Sequence, residues 1–239
     1  MIIGPYINGA AVLIGGIGGA AIGTRIPERV RTTLPLILGV CSMGMGIVLM
    51  FQVKHLPVMV ITIILGAIIG ELTYLERGIS RVSDVARAFT ERFMPRAGDS
   101  SKTEAEFLQI FVAIVVLFCA SGTGIFGAMR EGMTGDSTVL ISKAFLDLFT
   151  AGIFATSLGY AVAMIAVPQV LIQLALAYGA IFIMPLTTPV LVADFSAVGG
   201  VLMFATGLRI CDIKSFPVAN MLPAIALAMP ISFLWTRFF

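Results

Sequence analysis

Charge is scarce in this chain. Lys and Arg number 15 and Asp and Glu 13, so charged residues are 12% of the 239, against about 25% in an average globular protein. The net charge of +2 is too small to gather a polyanion, which argues against nucleic acid as a partner. Histidine occurs once, as His55, and cysteine only as Cys41, Cys119 and Cys211. That scatter offers neither a disulfide frame nor zinc-ligand spacing. A Walker A motif is missing, and Ala155-Thr-Ser157-Leu-Gly159 imitates a nucleophile elbow only loosely, with no histidine in any apolar stretch to activate Ser157. No enzymatic activity, cofactor or metal site is expected.

Apolar residues fill the space that charge leaves. They make up 59% of the chain, and the mean hydropathy is +1.05, more apolar surface than a water-soluble domain of this length can hide. The fold class expected is an all-α, polytopic membrane bundle. Stretches long enough to cross about 30 Å of hydrocarbon fall at roughly 3–23, 33–52, 57–75, 104–129, 138–164, 167–185, 188–208 and 216–236. That makes eight spans, with seven as the alternative because Pro185 to Pro189 leaves room only for a tight turn. The first stretch lacks a basic start and a small-residue cleavage site, so it reads as a permanent span.

Lys and Arg give the orientation, because basic loops are retained on the cytoplasmic side. Arg25, Arg29 and Arg31, then Arg77 to Lys102, then Arg209 and Lys214 fall on one face of an eight-span layout. The other face has Lys54, Arg130 and Arg237. Both termini are thus expected on the periplasmic side of a bacterial inner membrane.

The chain carries an internal repeat. At a constant offset Pro5 aligns with Pro189, Gly15 with Gly199, Gly16 with Gly200, Gly23 with Gly207, Arg25 with Arg209 and Ile26 with Ile210. A single domain over 1–239 is expected, with repeats at 1–75, 104–186 and 187–239, the middle one inverted. Repeats of this kind are a common ground plan of transporters. Between them, 76–103 reads as an amphipathic helix on the cytoplasmic leaflet, ending before a Ser101-to-Glu104 capping box. Pro5, Pro35, Pro168, Pro189, Pro223 and Pro230 fall in or near spans and are expected to break the helical ladder there.

Small residues at Gly15, Gly19 and Gly23 make a smooth face along the first span. Close packing inside the bundle, a homodimer seam or a hinge would each use it. Polar residues inside spans carry more functional weight, because a charge in hydrocarbon is costly unless it is paired or hydrated. Lys143 and Asp147 lie one helical turn apart, and Thr150 and Ser157 continue their stripe. Asp194 lies at a similar depth in the seventh span and is expected to share their site. As a structural ion pair, Lys143 and Asp147 would only satisfy each other. As a functional cluster with Asn8, they would bind an ion or a small charged solute, with Glu71 and Asn220 as gate residues toward the cytoplasm.

The motifs Ile3-Gly-Pro-Tyr-Ile-Asn8, Gly23-Thr-Arg-Ile-Pro27, Lys143-x3-Asp147, Thr206-Gly-Leu-Arg-Ile210 and Phe216-Pro-Val-Ala-Asn-Met-Leu-Pro-Ala224 resemble those of the YqgA/YdfK group of bacterial inner-membrane proteins. The resemblance spans essentially the whole chain. It implies a multispan membrane protein and brings no assigned binding residues. Transport of a small charged solute or ion, coupled to protons or sodium, is the expected function; a passive channel and a non-transporting scaffold are the alternatives.

Overall fold

The computed structural model describes residues 1–78, 111, 114, 115, 117–119, 121–214 and 216–238. Most of the expected amphipathic connector, the capping box at Ser101 and the first part of the fourth span lie outside these residues. The principal helices are α1 (Gly4–Ile22), α2 (Glu28–Met50), α3 (Leu56–Leu72), α4 (Gly122–Thr134), α5 (Thr138–Leu158), α6 (Ala161–Met164), α7 (Ala166–Ile181), α8 (Pro189–Ile210), α9 (Val218–Met221) and α10 (Pro223–Phe238). Short 3-10 turns occupy Gly23–Arg25 and Met184–Leu186.

Counting α6 with α7 and α9 with α10, six helices among the described residues are long and apolar enough to cross a membrane, and α3 is a shorter apolar helix of 17 residues. The protein is a helical membrane bundle. Its exposed faces carry Val40, Val48, Ile64, Ile68, Leu171 and Phe182, side chains that suit lipid rather than water. Helix α8 is the most enclosed, with 72% of its apolar window buried, and it is flanked by α2, α4 and α10. A core cluster around Phe126, Phe195, Leu202 and Ile225 fills the space between them.

Glycine sets the tightest contacts. Helix α1 lies on α5 and α2 on α8, the two most extensive pairings in the bundle. In the second pair the glycines are reciprocal: a Cβ on Gly46 would stand 2.5 Å from the Gly200 carbonyl oxygen, and one on Gly200 the same distance from that of Gly46. Gly39 and Gly207 repeat the arrangement one end further along. In the first pair Gly15 abuts the Leu148 carbonyl and Gly19 that of Gly152. The smooth face of α1 is therefore filled by α5 and is not a homodimer seam. Gly23 takes no part in packing: nothing lies within 4 Å of its Cβ position, and its φ of +54° ends α1 in a conformation that favours glycine.

Prolines break fewer helices than expected. Pro223 follows the interruption between α9 and α10, and Pro168 sits in the first turn of α7. Pro35 and Pro230 lie inside continuous helices, since the surrounding bundle tolerates one missing ladder bond in a membrane helix. The clearest break carries no proline. Residues 117–119 are helical, Ser121 is extended with φ −64° and ψ 127°, and α4 begins afresh at Gly122.

Candidate functional site

Five polar side chains meet where α1, α5 and α7 cross. Each is carried on a mainly apolar helix, so its polar end is answered chiefly by the others. Asn8 comes from α1, Lys143 and Asp147 from α5, and Gln169 and Gln173, one turn apart, from α7; all are at most 8% exposed. The Lys143 ammonium donates to Asp147 Oδ2. Asn8 Nδ2 and Gln169 Nε2 donate to the same oxygen, each at 2.8 Å. Asn8 Oδ1 in turn accepts from Gln169 Nε2 at 2.6 Å and from Gln173 Nε2 at 2.7 Å. Burying a carboxylate and an ammonium is costly even when they are paired, and the amide donors on Asp147 offset part of that cost. Gly9 lets α7 approach, since a Cβ there would run into Val170.

The pair also faces open space. A cavity of about 300 Å³ lies beside it, walled by α2, α5, α8 and the segment running into α4. Its polar lining is Ser42, Ser121, Thr123, Lys143, Asp147, Thr150, Thr206 and Arg209, and its apolar lining includes Leu38, Leu117, Leu146 and Phe154. The lining runs from Lys143 to Arg209, where the Arg209 guanidinium donates to Glu76 Oε1 at 2.8 Å. Phe118 lies under the Lys143 ammonium, 5.7 Å from ring centre to Nζ, close enough for a cation–π contact.

Two further buried acids serve helix ends. Asp194, fully buried on α8, accepts from Lys54 N at 2.8 Å, His55 N at 2.9 Å and Ser232 Oγ at 2.6 Å, and its Oδ2 lies 2.8 Å from His55 Nδ1. Those amides immediately precede α3. Glu131, 1% exposed, accepts from Ile3 N at 2.7 Å and Gly4 N at 2.9 Å, at the start of α1. Both use a carboxylate against the positive end of a helix.

Comparison with known sequences places the chain. The family model described as "Protein of unknown function (DUF554)" matches residues 3–233. The chain belongs to this family. It is 55% identical over 239 residues, the full length of both chains, to the uncharacterized protein YqgA of Escherichia coli (strain K12). It is 25% identical over 237 residues to the uncharacterized membrane protein YdfK of Bacillus subtilis (strain 168), covering 96% of this chain and 95% of that one. No solved structure matches.

Among the residues that the sequence singles out, the fold gathers Asn8, Lys143 and Asp147 and adds Thr150 to the cavity wall. It does not bring Asp194 to them. Depth along a span leaves its rotation open, and α8 turns this carboxylate toward His55 and Ser232 instead. Ser157 is exposed and donates to the Phe154 carbonyl, so the polar stripe of α5 ends before it. Glu71 is exposed, whereas Asn220 is buried and accepts from Glu76 N at 2.7 Å, capping the turn that follows α3. Sequence reasoning missed Gln169, Gln173 and Thr123. The first two repeat the one-turn spacing of Lys143 and Asp147 inside an apolar helix, which was the available signal; Thr123 was hidden in a run of small residues.

Proposed function

We propose that the protein is a secondary transporter of a small charged solute, seated in the bacterial inner membrane with both termini on the periplasmic side. It is read as a non-enzymatic protein. The observation that carries this reading is the cavity beside the Lys143–Asp147 pair. A buried pair serving packing alone would be sealed in protein, whereas a binding site needs room for a guest next to its charges. The interrupted helix at Ser121 adds to this, because half-helix ends beside a cavity are where many transporters hold charged groups. In this mechanism Asp147 takes the coupling proton or sodium ion, Lys143 supplies the counter-charge, and Asn8, Gln169 and Gln173 hold the carboxylate in place. Among the described residues the lining reaches the last turn of α8 at Arg209 and Ile210 and none of the first turns of α1, α3 or α8, a one-sided opening that favours access from one side at a time over a continuous pore.

Flux into liposomes holding the purified protein tests it, with proton, sodium and small-anion gradients compared. Transport should be saturable and accelerated by solute on the far side. Asp147→Asn should slow it about tenfold or more, as expected when a charged ligand is lost. Flux that neither saturates nor responds to the far-side solute would favour a channel. The absence of flux for every gradient, from folded protein, would leave a scaffold.

A further inference from the structure

The lining of the cavity is uneven in a way that selects its guest. Ser42, Thr150 and Thr206 already donate their hydroxyl hydrogens, to the carbonyls of Met203 at 3.0 Å, Leu146 at 2.7 Å and Leu202 at 2.8 Å. Free hydrogens gather at the start of α4 and on Lys143, which adjoin: a Cβ on Gly124 would stand 3.1 Å from Lys143 Cε. There the first amides of α4 have no intrahelical acceptor, as at any helix start, and Ser121 Oγ accepts from Gly124 N at 3.5 Å, which leaves its own hydrogen free. Thr123 is 3% exposed and lines the cavity, and its hydroxyl has no partner among the described residues. The Lys143 ammonium has three hydrogens and one hydrogen-bond partner, Asp147, among the described residues. Donors, a helix-dipole positive end and an ammonium thus converge on one spot, while Leu38, Leu117, Leu146 and Phe154 line the remainder. Building on the transport reading above, we infer that the cavity binds a small organic monocarboxylate, its charged end on Thr123, the α4 amides and Lys143, and its hydrocarbon part against those apolar side chains. An inorganic anion would leave the apolar wall unused, and an amine would set its charge beside the Lys143 ammonium, with Asp147, which already accepts from Lys143, Asn8 and Gln169, as the one anionic group among the lining residues.

Calorimetric titration of the full chain in lipid nanodiscs tests this without requiring flux. The ligands are sodium isobutyrate, sodium chloride and isobutylamine hydrochloride. Isobutyrate should bind saturably, and neither chloride nor the amine should displace it. Thr123→Val should weaken isobutyrate about tenfold, the effect of losing one hydrogen bond to a charged group, while Thr123→Ser retains it. Thr62→Val removes a buried, unpaired hydroxyl on α3 outside the cavity and should change nothing. No saturable isobutyrate heat from wild-type protein, displacement by chloride or by the amine, or undiminished binding by folded Thr123→Val would each overturn the inference. Isobutyrate binding without flux would refute transport and leave the site standing. Flux of another solute without isobutyrate binding would do the reverse.

Discussion

Gly19 of α1 and Gly152 of α5 touch backbone to backbone, but the contact is one-sided. A Cβ on Gly19 would overlap the Gly152 carbonyl, whereas a Cβ on Gly152 would find only the Gly15 oxygen at 3.6 Å, an ordinary contact. Gly19→Ala should therefore destabilise the protein by about 1–3 kcal/mol, the usual cost of overpacking. Gly152→Ala should be close to neutral, or slightly stabilising because alanine favours the helix. Thermal unfolding in detergent, followed by size-exclusion chromatography, checks both, and equal losses would contradict the geometry.

The Lys143–Asp147 pair should behave as a unit. Lys143→Met leaves a buried carboxylate without its cation and should cost about 3–5 kcal/mol. The double substitution Lys143→Met with Asp147→Asn removes both charges and should recover much of that loss. The same unfolding assay measures the difference. A double variant no more stable than the single one would show that the two residues act independently.

Asp194 and Asp147 should separate by phenotype. Asp194→Asn weakens the cap of α3 and the bonds to His55 and Ser232, a loss of about 1–3 kcal/mol for buried groups left poorly paired. Its folded fraction should transport at the wild-type rate, whereas folded Asp147→Asn should not. Matching flux defects in the two would reunite the aspartates that the fold sets apart.

Acid should weaken the turn between α4 and α5. The Asp136 carboxyl is held below its ordinary value, first by the Thr138 side chain; burial opposes this, and the Thr138 amide and Arg130 add to the lowering. A carboxyl lowered in the folded state contributes stability above its unfolded value, about pH 3.9, and loses it as the pH falls through the folded value. Unfolding temperatures of wild type and Asp136→Asn should differ at pH 7 and converge below about pH 4. A gap that persists or widens in acid would contradict this sign.

Composition and span length made the membrane bundle legible, because no other solvent accommodates so little charge. Lys143 and Asp147 were legible for the same reason: ionised groups in an apolar helix stand out, and one-turn spacing puts them side by side. Gln169 and Gln173 were harder, since neutral amides do not announce themselves in a search for charge. Asp194 shows the limit of reasoning from depth, for its azimuth is set by how α8 packs on α2 and α10, which hydropathy does not encode. Two of its partners are the amides of Lys54 and His55, groups that almost every residue carries and no sequence pattern marks.

The reciprocal glycines of α2 and α8 leave those helices no clearance to slide past each other, and α1 on α5 is at least as tight. Between α2 and α5 the contacts are few, and the cavity lies there, Ser42 and Thr206 on one side and Lys143 and Thr150 on the other. Each of these two helix pairs is thus locked along its own length, and the looser boundary between them is where the cavity opens.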